Sequence, residues 1–420
     1  MSTARPRFSQ RRRRRLFFTS LVTVLLLGSG GYVAAAALAE LPEPTLALSV
    51  DTTTEVSASD EALTSLVSSM SQPTAVGWNE ADAPVWANDD AAYSIASITK
   101  LVTVLVGQEA EPLGVGEDGP TYTWTVQDQQ IQDELIALNG VAFPVQVGTE
   151  MTRRQMLELA LIPSANDFAI AYAYSIFGDR DGFVAAVNDW TARNGLDSIE
   201  IHEPSGMDSN NKASAADLVR VVRLVLADPT LAELVSTESF VAPWGIGEVT
   251  TTNPLFDLMD GVVGVKTGTT DAAGYNLAGA ARDEFEGREF TRISVVLARD
   301  SYEARAYDSV DLLQGMSGLA TTLPIIEADE LIGTLTTIDG QQADLLAMDA
   351  FSVTLLPGET ASRTLEVSAG TAASGNADTA GTISVELPGG ATEVPVRRTA
   401  NFTEPDLWWR LTNPSLVFGN

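Results

Sequence analysis

The sequence predicts an α/β domain followed by a smaller β-rich module, and three observations point there. The chain has 420 residues, room for one large domain and one small one. From about 72 to 320, helical and strand patterns are mixed. After about 322 helical periodicity fades, and short Thr/Val/Leu runs alternate with Gly, Pro and Asp turns.

In chain order, Ala75–Trp78 and Ala83–Trp86 read as short strands. Helical patterns follow at Ser97–Gln108, Arg153–Ile162, Asn166–Phe177, Gly182–Asn194 and Ala213–Ala227. The last of these carries Leu218, Val219, Val222 and Val225 on one face. Gly261–Val265, Tyr275–Arg282 and Arg292–Arg299 read as strands, and so do Phe351–Leu356, Thr364–Val367 and Thr382–Leu387 in the β-rich module. Ala369–Ala380 reads as a Gly/Ala/Ser/Thr loop. The expected divisions are an amino-terminal apolar segment 1–39, a linker 40–71, the α/β domain 72–321, the β-rich module 322–405 and an aromatic tail 406–420.

Arg11–Arg15 form a basic block before the apolar run Leu16–Leu27, and Ala37-Leu38-Ala39 has the small-x-small form of a cleavage point. This is a secretory signal peptide or, since Leu16–Ala39 is long enough to span a bilayer, an uncleaved anchor. In either case the arginines stay inside and the rest of the chain is exported. The tail, with Trp408 and Trp409, suits packing on its own domain or contact with a membrane interface.

Composition excludes several functions. Formal charge is −31, so the surface repels phosphate backbones and nucleic-acid binding is not expected. There is no cysteine and a single histidine, His202, which removes thiolate catalysis and Cys or His-cluster metal sites. No metal or cofactor is expected. Lysine occurs three times, at 100, 212 and 266, against 22 arginines. Lysine can give up its proton when its pKa falls, whereas arginine cannot. A chain that otherwise uses arginine thus draws attention to its lysines.

Two of the three lysines fall in short motifs, Ser97-Ile98-Thr99-Lys100 and Lys266-Thr267-Gly268-Thr269, with Ser164-Ala165-Asn166 between them. Each motif alone is weak. Ser209-Asn210-Asn211-Lys212 also satisfies S-x-x-K. The ordered set is more specific. Three residues along a helix bring Ser97 and Lys100 to one face, where a neutral amine could take the hydroxyl proton. Lys266 could supply the positive charge that keeps Lys100 neutral. The bland alternative is an N-cap serine with a surface lysine. Ser164 and Asn166 fall on a turn between helical patterns, suited to proton relay and substrate positioning, or to simple helix capping. Lys266 and its threonine hydroxyls suit an anionic end group, and Gly268 permits close approach of a substrate backbone.

This set resembles penicillin-binding proteins and class A β-lactamases. Ile95–Thr103, Leu161–Ala169, Glu203–Asp208 with Ala213–Leu218, and Val265–Asn276 resemble low-molecular-mass D-alanyl-D-alanine carboxypeptidases, peptidase family S11, over roughly 72–315. The resemblance implies a mostly antiparallel sheet covered by helices, an inserted helical lobe carrying Ser164, and a cleft between the two. It also implies roles. Ser97 attacks the penultimate D-alanine carbonyl of a peptidoglycan stem peptide and is acylated. Lys100 is the general base, Ser164 and Lys266 handle the second proton transfer, and Asn166 orients the substrate. The N–H groups of Ser97 and Thr269 form an oxyanion hole. Thr267, Thr269 and Arg305 hold the terminal carboxylate, and β-lactams are covalent inhibitors. His202 has no such role. The chain departs from the family where Ser94-Ile95-Ala96 lacks a common proline, in its long acidic linker, and in a tail that is not the usual amphipathic helix. Competing functions are an endopeptidase or transpeptidase, an esterase, a β-lactamase and a non-enzymatic wall-binding protein. Glu200 and Glu203 lie where a β-lactamase base would, without its E-x-x-L-N pattern.

Overall fold

A computed structural model describes residues 8–80, 83–374 and 380–419. The chain divides into two compact units, one of residues 57–321 with 354–359, the other of 1–56, 322–353 and 360–420.

The larger unit is built on an antiparallel five-stranded sheet, in the order Val262–Thr270, Gly274–Phe285, Arg288–Arg299, Thr74–Trp78, Val85–Ala87. Successive side chains on a strand face opposite ways. Ile293, Val295 and Leu297 therefore enter one core, with Leu101 and Val102 of the helix Thr99–Ala110 and Val219 and Val222 of Ala215–Ala227. Phe290 and Val296 enter the other, with Leu312, Leu313 and Met316 of the helix Tyr302–Met316. Both faces are covered, so apolar residues follow one another at Val295-Val296-Leu297 and the alternation there is faint in the sequence.

The helices Val126–Ala137, Arg153–Leu161, Asn166–Phe177 and Arg180–Asn194 accompany Thr99–Ala110. The expected helices are present within a few residues of their limits; Val126–Ala137, Pro229–Val235 and Tyr302–Met316 are additions. Capping fixes several starts. Thr125 with Asp128, and Thr152 with Gln155, form reciprocal capping boxes, each cap contributing about 1 kcal/mol. Phe168, the third residue of Asn166–Phe177, lies between Trp124 at 5.2 Å and Trp244 at 6.2 Å.

The smaller unit carries a seven-stranded sheet, ordered Thr45–Leu48, Leu331–Thr336, Gln342–Ala347, Gly390–Arg398, Gly381–Leu387, Thr360–Glu366, Thr53–Ser57. The linker expected at 40–71 is therefore corrected. Its residues Thr45–Leu48 and Thr53–Ser57 supply both edge strands of this sheet, and Glu61–Ser68 is a helix burying Leu63 and Val67. Short runs of Thr and Val suit a half-buried strand edge, which composition alone does not distinguish from an extended linker. Part of the expected loop at 369–380 is the short helix Ala369–Ser374; 375–379 lie outside the described residues. The helix Phe8–Leu38 and the tail helices Leu407–Thr412 and Pro414–Phe418 belong to this unit.

Candidate functional site

A single 3-10 turn, Ala96–Ile98, leads into the helix Thr99–Ala110 and carries Ser97 half-buried at its centre. Neither this helix nor Asn166–Phe177 has a side-chain N-cap; their N-cap residues are Ile98 and Ala165. Ser97, Ser164 and Asn166 are thus not capping residues, and Lys100 is not a surface lysine but fully buried.

The Lys100 ammonium nitrogen lies 2.9 Å from Ser97 Oγ, 2.6 Å from Asn166 Oδ1 and 2.7 Å from the Ser205 carbonyl oxygen. Burial pulls its pKa down from the usual lysine range to about 7, against the opposing charges of Glu203 and Asp167. Burial disfavours the charged form strongly, and here it outweighs two carboxylates. Lys266 is also buried, and its pKa is pushed well below normal by burial first and then by the positive charges of Lys100 and Arg305. Both amines are therefore biased toward the neutral state.

The strand Val262–Thr270 runs against the serine turn. A methyl group on Gly268 would lie 2.4 Å from the Ile95 carbonyl oxygen and 3.1 Å from Ser97 N, so only glycine fits. The amide of buried Asn276 donates to Ser94 O at 3.0 Å and accepts from Ala298 N at 2.8 Å, tying neighbouring strands to the same segment. Thr267 Oγ1 is 2.5 Å from Thr252 Oγ1. Buried Arg305 donates to Thr269 Oγ1 at 2.8 Å and lies over the rings of Tyr275 and Tyr302 at 5.5 and 5.0 Å. A cleft of about 870 Å³ opens at Thr269, bordered by Asn139, Met207, Ser209, Thr270 and Tyr275.

The structure thus brings Ser97, Lys100 and Asn166 into direct contact and joins Arg305 to Thr269. Ser164 is buried two residues before Asn166, in a left-handed conformation with φ 68°. Among the described residues, no hydrogen bond joins its hydroxyl to another candidate. His202 pairs with Glu200 at 2.8 Å, apart from this network.

Two positioning elements escaped the sequence. Glu203 accepts from Ser205 N, Ser205 Oγ, Gly206 N, Asp208 N and Asn211 Nδ2 at 2.5–3.3 Å. It closes the turn whose Ser205 carbonyl meets Lys100. Gly206 (φ 91°) presses on Ala96, where a Cβ would come within 2.0 Å of the Ala96 carbonyl oxygen. Buried Asp167 accepts from Gln132 Nε2 at 2.8 Å and Phe143 N at 3.0 Å, and burial raises its pKa to about 6. Both acids lie inside segments already singled out, but nothing in the spacing shows that their carboxylates are consumed by the surrounding turns.

An antiparallel sheet covered by helices, with serine and lysine at the start of a central helix, defines the penicillin-binding class of fold. The D-alanyl-D-alanine carboxypeptidase DacD from Francisella tularensis shares it, with TM-score 0.53 at 18% identity over 80% of this chain and 94% of that one. The family model for D-alanyl-D-alanine carboxypeptidase, peptidase S11, matches residues 85–301. The chain belongs to that family. It is similar to a D-alanyl-D-alanine endopeptidase of Pseudomonas aeruginosa, 31% identical over 45% of this chain and 60% of the relative. It is also similar to the D-alanyl-D-alanine carboxypeptidase DacB2 of Mycobacterium tuberculosis, 30% identical over 46% of this chain and 64% of the relative. The match thus spans 60–64% of these relatives' length.

Proposed function

We propose that the chain is an exported serine-type D-alanyl-D-alanine carboxypeptidase that removes the terminal D-alanine from peptidoglycan stem pentapeptides. The observation that carries this is the buried lysine, with a pKa near 7, held 2.9 Å from a half-buried serine hydroxyl. An amine of that pKa is partly neutral at physiological pH and can accept the Ser97 proton as Oγ attacks the carbonyl. The backbone N–H groups of Ser97 and Thr269 then stabilise the oxyanion. Ser164 and Lys266 handle the proton transfer to the departing D-alanine amine, and Asn166 holds the Lys100 amine and the substrate. Water hydrolyses the acyl-enzyme. Thr267, Thr269 and Arg305 receive the substrate carboxylate, with Gly268 leaving room for the peptide backbone. β-Lactams acylate the same serine.

Glu203 is fully engaged by its own turn and Glu200 by His202, which argues against a β-lactamase whose deacylation uses either. The endopeptidase name of one relative supports cleavage of cross-linked stems as a second activity of the same site.

The test is D-alanine release from a synthetic pentapeptide stem by the full chain in detergent, with Ser97→Ala as control. Release by the parent and not the variant supports the carboxypeptidase reading. No release, with a fluorescent penicillin still labelling Ser97, moves the activity to transfer or ester cleavage. Neither release nor label leaves a wall-binding role.

A further inference from the structure

The helix Phe8–Leu38 ends where cleavage of a signal peptide would fall, and its last carbonyls lack intrahelical partners. No basic residue stands in its own last turn. Arg410, 372 residues beyond the helix end at Leu38 (410 − 38), supplies one. Its guanidinium donates to Ala39 O at 2.8 Å and Ala36 O at 3.4 Å, while Nε holds Pro405 O at 3.2 Å. A cation at a helix C-terminus is favourable on charge as well as hydrogen bonding. Tyr32 Oη donates to Leu411 O at 2.8 Å, and its ring lies 6.2 Å from that of Phe418. Cleavage after Ala39 would remove two of the three carbonyl partners of buried Arg410, leaving it Pro405 O at 3.2 Å and Glu404 Oε2 at 3.4 Å, and would take Tyr32 from the tail in the same step.

Tyr32 lies 17 residues beyond Arg15. At about 1.5 Å per residue this is about 26 Å, close to the roughly 30 Å thickness of a bilayer's hydrocarbon core. Leu16, Phe17, Leu25, Leu26 and Leu27 between them are exposed. With the arginine block at the inner face, Tyr32 reaches the outer one, and the tail it binds lies at that level. There the tail presents Leu407, Trp408, Leu416 and Phe418; Trp408 is 74% exposed. Aromatic side chains favour this interface. The tail's charged residues from 404 onward are Glu404, Asp406 and Arg410, and the whole chain is strongly acidic, so attraction to anionic headgroups is not its basis.

We propose that the helix Phe8–Leu38 is retained as a membrane anchor and that residues 406–418 form a collar around its outer end, with the phospholipid interface as the partner of Trp408, Leu416 and Phe418. The catalytic role of Ser97 does not enter into this.

Two measurements test it. Intact mass of the chain extracted from membranes of the expressing cells gives the mature amino terminus. A start upstream of Phe8 is expected, and a start at Glu40 overturns the proposal. The full chain is then reconstituted in nanodiscs of phosphatidylcholine and phosphatidylglycerol with brominated or unbrominated acyl chains. Bromine is expected to quench part of the tryptophan emission, and Trp408→Phe should remove at least half of the quenched fraction. Equal quenching in parent and variant, or none in the parent, overturns the collar. Because Trp408 is exposed, its replacement leaves the packing intact. Tyr32→Phe, which removes one hydrogen bond without a volume change, should lower the quenched fraction; no change sinks the clasp.

Discussion

Lys100 Nζ stands 2.9 Å from Ser97 Oγ in a site where neither residue caps its helix and the lysine is wholly buried. An ionised ammonium there has lost its water, and two carboxylates in range do not restore its usual pKa. The amine is held in a state that costs stability and favours proton acceptance.

Lys100→Met keeps a linear side chain of similar length without the amine. D-alanine release and penicillin labelling should fall by about 10³-fold or more. Thermal stability should be unchanged or higher, because a buried ionisable group has been replaced by an apolar one. Calorimetry alongside the assay checks both. A large loss of stability would mean that the amine is structural.

The pH dependence has a definite sign. The folded pKa of Lys100, about 7, lies below its unfolded value of about 10.4. Between these values the unfolded state binds more protons, so the contribution of Lys100 to stability grows as pH rises through that window. The stability gap between parent and Lys100→Met should therefore narrow from pH 7 to 10. The acylation rate should fall on the acid side with a midpoint near 7. An acid limb near 9 would contradict the lowered pKa.

Glu203→Gln removes one of the two charges that raise the Lys100 pKa, so the acid limb should move to lower pH. It also places an amide among N–H donors that need an acceptor, at a cost of about 1–3 kcal/mol. A pH–rate profile of the variant, with its melting temperature, separates the two effects.

Gly268→Ala brings a methyl group into the Ile95 carbonyl oxygen and Ser97 N. Overpacking of this kind costs about 1–3 kcal/mol. The serine turn must shift to relieve it, and a displacement near 1 Å can cost about 10²-fold in rate. Penicillin acylation should fall by at least that while the fold persists by circular dichroism.

Arg305→Ala removes the donor to Thr269 Oγ1 and the cation proposed to meet the substrate carboxylate. A charged hydrogen bond contributes about 1.5–3 kcal/mol, so kcat/KM for the pentapeptide should drop about 10- to 100-fold. The loss should be smaller for an ester substrate without a terminal carboxylate. Equal losses on both would make Arg305 a support of the strand.

The sequence by itself determined the local chemistry. Ser97 and Lys100 share a helix face because their spacing is three residues, and the scarcity of lysine marked 100 and 266. The helices Arg153–Leu161 and Asn166–Phe177 and the strands around Lys266 were legible from apolar runs and the breaks between them. Other features depend on residues far apart in the chain. Asn166 reaches Lys100 across 66 positions, Ser205 across 105, and Gly268 meets Ser97 only because the edge strand lies against the serine turn. The strands at 45–48 and 53–57 looked like linker because their partners lie hundreds of residues on. Arg410 likewise closes a helix that begins the chain. Periodicity records which face of an element is apolar, but not what will cover it. The burial that lowers a lysine pKa and the partner that saturates Glu203 exist only once the chain has folded.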